Sequence, residues 1–546
     1  MDTRKMVSSD ARSTTRAPGR GWAARLAVAL LATVVATVLA APAQGMSFKW
    51  ASQDDAATMD PHAFNHGMTL TVLNHVYEGL VRRDRAMAVE PALAVSWTQP
   101  SPTIWRFKLR DGVRFHDGTP FTADDVVFSI RRAMTPQSDM KVFAASIVDV
   151  RAVDPGTVEI TTDAPNAALL QSLPELRILS KGWAEKNGAT APADMRQKQE
   201  NFATRRANGT GPFRLGAREP NVRTVLTINP DWWDRPKTNV TEATLVVIAS
   251  DATRLAALLS GELDFAYPVP LQDIARVEAN PAFKVEQAPE IRVLFLSLDQ
   301  ASPELKYSNV KGRNPFQDRR VRLAMAQAID IETLRSRVLR GSVLPTGILV
   351  ARGVNSVDPS LVARNYPYDV AAARRLLAEA GYPDGFQVTL DCPNDRYVNG
   401  DQVCIALATM HAKVGIKVQV NAIASSLFFP KAGAGDSSFN FFGYTPSNFD
   451  AYNSMAVLMH TRDAKSGQWN VGRYSNPKVD ELIDASLREL DPARRTALVS
   501  EAIRTHRDDV GHLPLYQQGI AWGMRKNVDA VMQTDNRVNL NYVNVR

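Results

Sequence analysis

Between Cys392 and Cys404, the only two cysteines of the chain, runs the segment CPNDRYVNGDQVC, with Arg396 and Tyr397 near its centre. A guanidinium presents five donors in one plane and meets a carboxylate through two parallel hydrogen bonds. An Arg held in a rigid loop just past a strand therefore suits anion capture. The other reading of Arg396 is a surface cation paired with Asp391 or Asp395. A second cluster lies in NFFGYTPSNFDAYN, residues 440–453, where an apolar strand over 439–442 runs out into a loop carrying Tyr444, Ser447, Asn448, Asp450 and Tyr452. Polar and aromatic side chains at the end of an α/β strand commonly line a pocket. Plain core packing accounts equally well for Tyr444 and Tyr452.

Catalytic constellations are missing. The chain carries no G-x-S-x-G, no Walker loop, no H-E-x-x-H and no complete G-x-G-x-x-G; Pro212 follows Gly209-Thr210-Gly211 where a helix would have to start. His62 and His66 are four apart, but Pro61 and Gly67 around them favour a hydrogen-bonded loop over a ligand helix, and neither Cys nor an acidic cluster completes a metal set. No catalytic residue, metal or cofactor is expected.

The chain has 546 residues, 45% of them hydrophobic, and a net charge of +7. Six basic and two acidic residues fall within the first 43, so about +3 remains beyond them, and no basic run interleaved with aromatics tracks nucleic acid. Arg4, Lys5, Arg12, Arg16, Arg20 and Arg25 precede a sixteen-residue apolar run over 26–41 and the small-residue site Ala41-Pro42-Ala43. This is the pattern of a secretory signal peptide cleaved after Ala43, too short to span a membrane and lacking a lipid-anchor Cys. Export to an oxidising compartment favours a Cys392–Cys404 disulfide over two reduced buried thiols.

The elements that must position these groups read as follows. In WRFKLRDGVRFHDGTPFTADDVVFSIRR, residues 105–132, Trp105, Phe107 and Leu109 alternate with cations, as a half-buried strand requires. Asp111-Gly112 and Asp117-Gly118 are turns around a short second strand, and Thr122 with Asp125 opens a helix. Residues 69–80, 318–329 and 401–414 have helical spacing, Asp369 caps a helix ending at Gly381, and 291–298, 386–390 and 416–422 read as strands. Strand, helix and strand over 386–422 imply a parallel crossover. KAGAGDSS, residues 431–438, reads as a surface loop.

The 105–132 block resembles the signature of the family 5 extracytoplasmic solute-binding proteins, the receptors of oligopeptide, dipeptide and nickel ABC importers. VYEGLV, PALAVSW, GTGPF, NPDWW, LLSGELDF, FQDRRVRLAMAQAID, YDVAAARRLLAEAGY and YSNPKVDELIDAS follow in the family's order. The resemblance implies an α/β, two-lobed periplasmic binding protein fold with hinged lobes and an extra domain inserted in the first. Mapped here, a signal peptide over 1–43 precedes a first lobe of 44–85, 209–297 and 518–546. The inserted domain is 86–208 and the second lobe 298–517. The ligand, a short peptide or peptide-like solute, is expected between the lobes.

By the same resemblance, Arg396 corresponds to an Arg that grips a ligand carboxylate in dipeptide-binding members, with Tyr397 beside it. The position at which those members place an aspartate for the ligand's amino group is Ser447 here, with Asp450 three residues on. Either Asp450 substitutes, or the amine is absent, modified or held by backbone. Phe64, Asn65 and His66 sit in a loop facing the cleft in relatives, and Trp522 is a further candidate, while the NPDWW tryptophans read as structural. The implied partners are ABC permease subunits with their ATPases, docked by a periplasmic monomer that binds no nucleic acid and performs no bond chemistry. The rivals are a receptor for an opine, sugar conjugate or nickel chelate on the same fold, and a secreted hydrolase.

Overall fold

The computed structural model describes residues 45–546, so the signal-peptide reading lies outside the described residues. Two long strands dominate it. Phe283–Leu298 and Leu513–Arg525 pair antiparallel, with a break in the middle between Pro289 and Val293 and a second register shift between Leu294 and Phe295. Residues 283–289 face 519–525 on one side of the break, and 293–296 face 513–517 on the other. Glu290, Ile291 and Arg292 fall out of register opposite Gln518.

Each half of this ribbon carries its own layers. On one side Leu513–Arg525 pairs with Phe265–Ala266, which lies parallel to Met46–Ser52, and Val240–Val247, Arg223–Ile228 and Phe213–Glu219 continue outward. On the other, Phe283–Leu298 pairs with Phe439–Tyr444, then Gln387–Pro393 and Lys417–Ile423. The last two strands are parallel and joined by the helix Gly400–Ala412, the crossover expected from their spacing. Two lobes thus share one pair of crossing strands, each with a core of its own. Leu258, Leu263 and Val277 fill the first, Phe316, Met325, Leu390 and Phe439 the second.

A separate four-stranded sheet is built from Ala94–Ser101, Ile104–Leu109, Thr157–Thr162 and Ile147–Asp154. The signature block lies here. Trp105, Phe107 and Leu109 are buried and the cations between them exposed, each full burial contributing about 1.5–3 kcal/mol. Asp125 accepts from the Thr122 backbone N at 2.9 Å and its hydroxyl at 2.8 Å, and opens the helix Ala123–Ala133. The short second strand is reduced to one bridge, Arg114 to Pro120, because the two turns leave no room for more.

Asp369 caps Val370–Glu379 as expected, and Asp318, at the start of the helical span read over 318–329, caps Arg319–Gln327. The NPDWW indoles donate to the buried Glu78, Trp233 at 2.9 Å and Trp232 at 3.3 Å, which satisfies their N–H groups. One expectation fails. Lys431 lies in the helix Ser425–Gly433 and its ammonium contacts the buried Asp391 at 2.5 Å, while Ser437 and Ser438 are buried. A distant carboxylate pulls the small-residue segment into the core.

Candidate functional site

Arg396 lies on a loop anchored at both ends. Behind it the strand Gln387–Pro393 carries Cys392 next to its end, disulfide-bonded to Cys404 in the following helix. A cross-link closing so short a loop contributes about 3 kcal/mol through the unfolded chain. Ahead of it Tyr397 is buried, its ring edge-on to Phe441 with centroids 5.5 Å apart, and its hydroxyl accepts from the Gly443 N at 2.8 Å. Position 443 must be Gly, since a Cβ there would meet Leu294 at 2.6 Å and Tyr397 at 2.7 Å. The Val398 N then donates to Gln518 at 3.2 Å, and Gln518 donates to Glu290 at 2.7 Å. The loop is thereby tied to the register break in the crossing strands.

The Arg396 side chain itself is exposed and makes no hydrogen bond or ion pair among the described residues. Both anions that could have claimed it are engaged elsewhere. Asp391 takes Asn421 at 2.6 Å and Lys431, and Asp395 takes the Ser425 N at 2.8 Å. Loss of surrounding water lowers the Arg396 pKa most, followed by the nearby charge of Arg292. The side chain thus reaches solvent while its surroundings are partly shielded from water. Arg292, in the register break, donates to Thr445 at 2.8 Å and lies 3.5 Å from Glu290.

The segment after Met46–Ser52 approaches the same loop. Phe64 stacks on His66 with ring centroids 5.8 Å apart, and Asn65 is exposed. His66 has its pKa lowered, first by desolvation; Asp54 opposes that shift and Arg396 adds to it. His66 and Asp54 of the first lobe therefore share a local field with Arg396 of the second. The second lobe also touches the segments around residues 83 and 167–172. Asn448 donates to the Ser172 hydroxyl at 2.9 Å, the Ala167 N donates to the Leu487 carbonyl at 2.9 Å, and Arg83 sits 4.3 Å over the Phe449 ring.

Several expected contact residues have other work. Asp450 is fully buried and forms a two-pronged ion pair with the buried Arg495, at 2.6 and 2.8 Å. It also accepts from Asn355 and caps the helix Ala451–Leu458 through the Tyr452 N, so its carboxylate has no capacity left for a ligand. Trp522 is likewise removed from the cleft. It is buried against Phe265 and Tyr267, with its indole N donating to Asn536 at 3.0 Å. Tyr397 is an anchor rather than a wall, and Tyr452 packs against the second-lobe core.

Tyr444 and Ser447 are drawn together by Asn453, which accepts from the Tyr444 hydroxyl at 2.9 Å and the Ser447 N at 3.0 Å. Burial raises the Tyr444 pKa. His62 lies buried between the Arg177 carbonyl and Arg132; burial and the Arg132 charge hold it neutral, with a pKa of about 3. Sequence reasoning passed over Asp54, Glu290, Arg292 and Gln518. The adjacent Gln517-Gln518 pair inside an otherwise apolar strand was the available signal for the last. Among the described residues no group of three or more His, Cys, Asp or Glu could hold a metal ion, and no helix is long and apolar enough to cross a membrane.

Comparisons with known proteins agree with this architecture. The glutathione-binding protein GsiB of Shigella dysenteriae is 29% identical over 485 residues, covering 86% of this chain and 89% of the relative. The periplasmic binding protein DppA of Helicobacter pylori, solved with the peptide STSA, superposes with a TM-score of 0.73 at 24% identity, over 92% of this chain and 98% of that one. NikA of Brucella suis, solved with Fe(III)-EDTA, gives 0.79 at 22% identity, over 92% of this chain and all of the other. The family described as bacterial extracellular solute-binding proteins, family 5 Middle, matches residues 88–466. With the two-lobed α/β fold and the blocks in order, the chain belongs to the family 5 extracellular solute-binding proteins, the receptors that serve ABC importers.

Proposed function

We propose that this receptor captures short peptides or peptide-like solutes in the cleft between its lobes, with the ligand carboxylate held by Arg396. The observation that carries the reading is an anchored Arg, fixed by the disulfide, Tyr397 and Val398, whose guanidinium is left without a partner among the described residues. A charge-assisted, two-pronged hydrogen bond is the interaction such a group is built to make. We assign Tyr444 and Ser447 from the second lobe and Phe64, Asn65 and His66 from the first to the same ligand. The register break at 290–292, opposite Gln518, serves as the hinge. Ligand that touches both walls binds the closed state better than the open one and shifts the population toward it. The closed monomer then docks on the permease, and the receptor performs no bond chemistry. We assign it to the periplasm, delivered by a leader cleaved after Ala43.

GsiB supplies one probe, glutathione, and the DppA complex another, the peptide STSA. Thermal shift and calorimetry with both should show binding by the wild type. Arg396→Ala should weaken it by about ten- to a hundredfold, the share of a charged hydrogen-bonded pair, with the unliganded melting temperature unchanged. Equal affinity in the variant would refute the assignment. A carboxylate-bearing solute without an amine is the second reading, favoured by the commitment of Asp450 to Arg495. Mass spectrometry of the molecule released on denaturing the native receptor separates the two.

A further inference from the structure

With Asp450 locked to Arg495, the second lobe offers no acid where a ligand's amine was expected. The opposite wall does. Asp54 follows Met46–Ser52, in which Ala51 is paired with Ala266, and Ala266 in turn with Gly523 of the crossing strand. In that register, the chain leaving Ser52 runs toward Gly519 and Gln518, the level at which the lobes part. The Arg396 loop reaches the same level from the other side, through the Val398 N on Gln518. Asp54 and Arg396 are therefore brought to opposite walls of one gap.

Both side chains are exposed, and neither carries a hydrogen bond or ion pair among the described residues. Arg396 and the nearby His66 nonetheless both feel the Asp54 charge, which opposes the lowering of their pKa values by desolvation. Opposite charges held across a gap and left unjoined fit a molecule that carries the complementary pair. An ammonium on Asp54 and a carboxylate on Arg396 would each gain a charge-assisted bond, and the two bonds would span the lobes.

We propose that Asp54 accepts the ligand's ammonium group, so that the receptor selects zwitterions held at the cationic end by the first lobe and at the anionic end by the second. The proposal rests on the carboxylate reading of Arg396 and adds the other end of the ligand.

The test titrates glutathione and the peptide STSA, each alongside its N-acetylated form, against the wild type, Asp54→Asn and Arg396→Gln. In the wild type, acetylation is expected to cost about ten- to a hundredfold in affinity. Asp54→Asn should weaken the free-amine probes by a similar factor and leave the acetylated ones unchanged, so that discrimination falls toward unity, and Asp54→Glu should restore part of it. Discrimination that survives Asp54→Asn, or equal weakening of free and acetylated probes, overturns the assignment. Arg396→Gln binding as well as wild type would sink the carboxylate reading instead, whatever Asp54→Asn does. Failure of every probe to bind the wild type would overturn both.

Discussion

Replacing Asp450 separates a structural acid from a ligand contact. Its carboxylate is fully buried and bound two-pronged to Arg495, itself 4% exposed, at 2.6 and 2.8 Å. Arg495 also donates to the Ser486 carbonyl at 2.8 Å and Ser356 at 2.9 Å, but no second carboxylate pairs with it among the described residues. Asp450→Asn keeps the volume and the helix cap and removes the charge, leaving a buried guanidinium uncompensated. Breaking a buried pair from one side costs about 3–5 kcal/mol. The pair joins Ala451–Leu458 to Pro492–Asp508, so the loss should appear as faster amide exchange in those two helices. At ~1.4 kcal/mol per factor of ten, protection should fall by roughly two to three and a half powers of ten. Asp450→Asn with Arg495→Met, which removes both charges, should recover much of it. Affinity for glutathione or STSA should stay within about threefold wherever the variant is folded, since within roughly 0.7 kcal/mol no charged contact has been lost. Unchanged protection together with lost affinity for free-amine probes would refute the argument and return Asp450 to the ligand.

Two other outcomes follow from the same geometry. Asn448→Ala removes the rim hydrogen bond to Ser172 and should release about 1 kcal/mol from the closed form, so affinity falls up to ~fivefold while each lobe's stability holds; small-angle scattering showing an unchanged distribution of open and closed forms would contradict it. Burial lowers the pKa of His62 and His506 to about 3 and of His75, His116 and His411 to about 4. Unfolded histidines titrate near ~6.5, so below that pH the unfolded chain binds more protons and stability falls as pH drops, by up to about 2 kcal/mol per buried His at pH 5. Glu78, pushed up to about 7 by burial, acts oppositely between its unfolded value and 7, because there the folded state holds the extra proton. Melting temperatures from pH 7 to 5 should therefore decline, and more steeply in Glu78→Gln; a rise on acidification would sink the histidine argument.

Features decided within a few residues of one another are legible in the chain itself. The Thr122–Asp125 start, the Asp369 cap and the alternation over 105–109 depend on neighbours in sequence, and they form where expected. The parallel crossover from Gln387–Pro393 to Lys417–Ile423 is equally legible, because a helix between two strands leaves few other arrangements. Residues 431–438 mislead because small residues signal a loop only when nothing distant claims them, and Asp391 claims Lys431.

By itself the sequence determined the family, the exchange of strand and helix and the pairing of Cys392 with Cys404 as the favoured option, and it nominated Arg396 for anion capture. Only the tertiary structure decided which charged groups were free to act. Asp450 and Arg396 both lie in polar second-lobe loops, yet Arg495 consumes the first and nothing among the described residues consumes the second. Asp54 gained its place opposite Arg396 from strand register across the crossing pair. A charge's partner is set by long-range packing rather than by its neighbours in the chain, so local pattern can nominate a binding residue but cannot tell whether its charge is already spent.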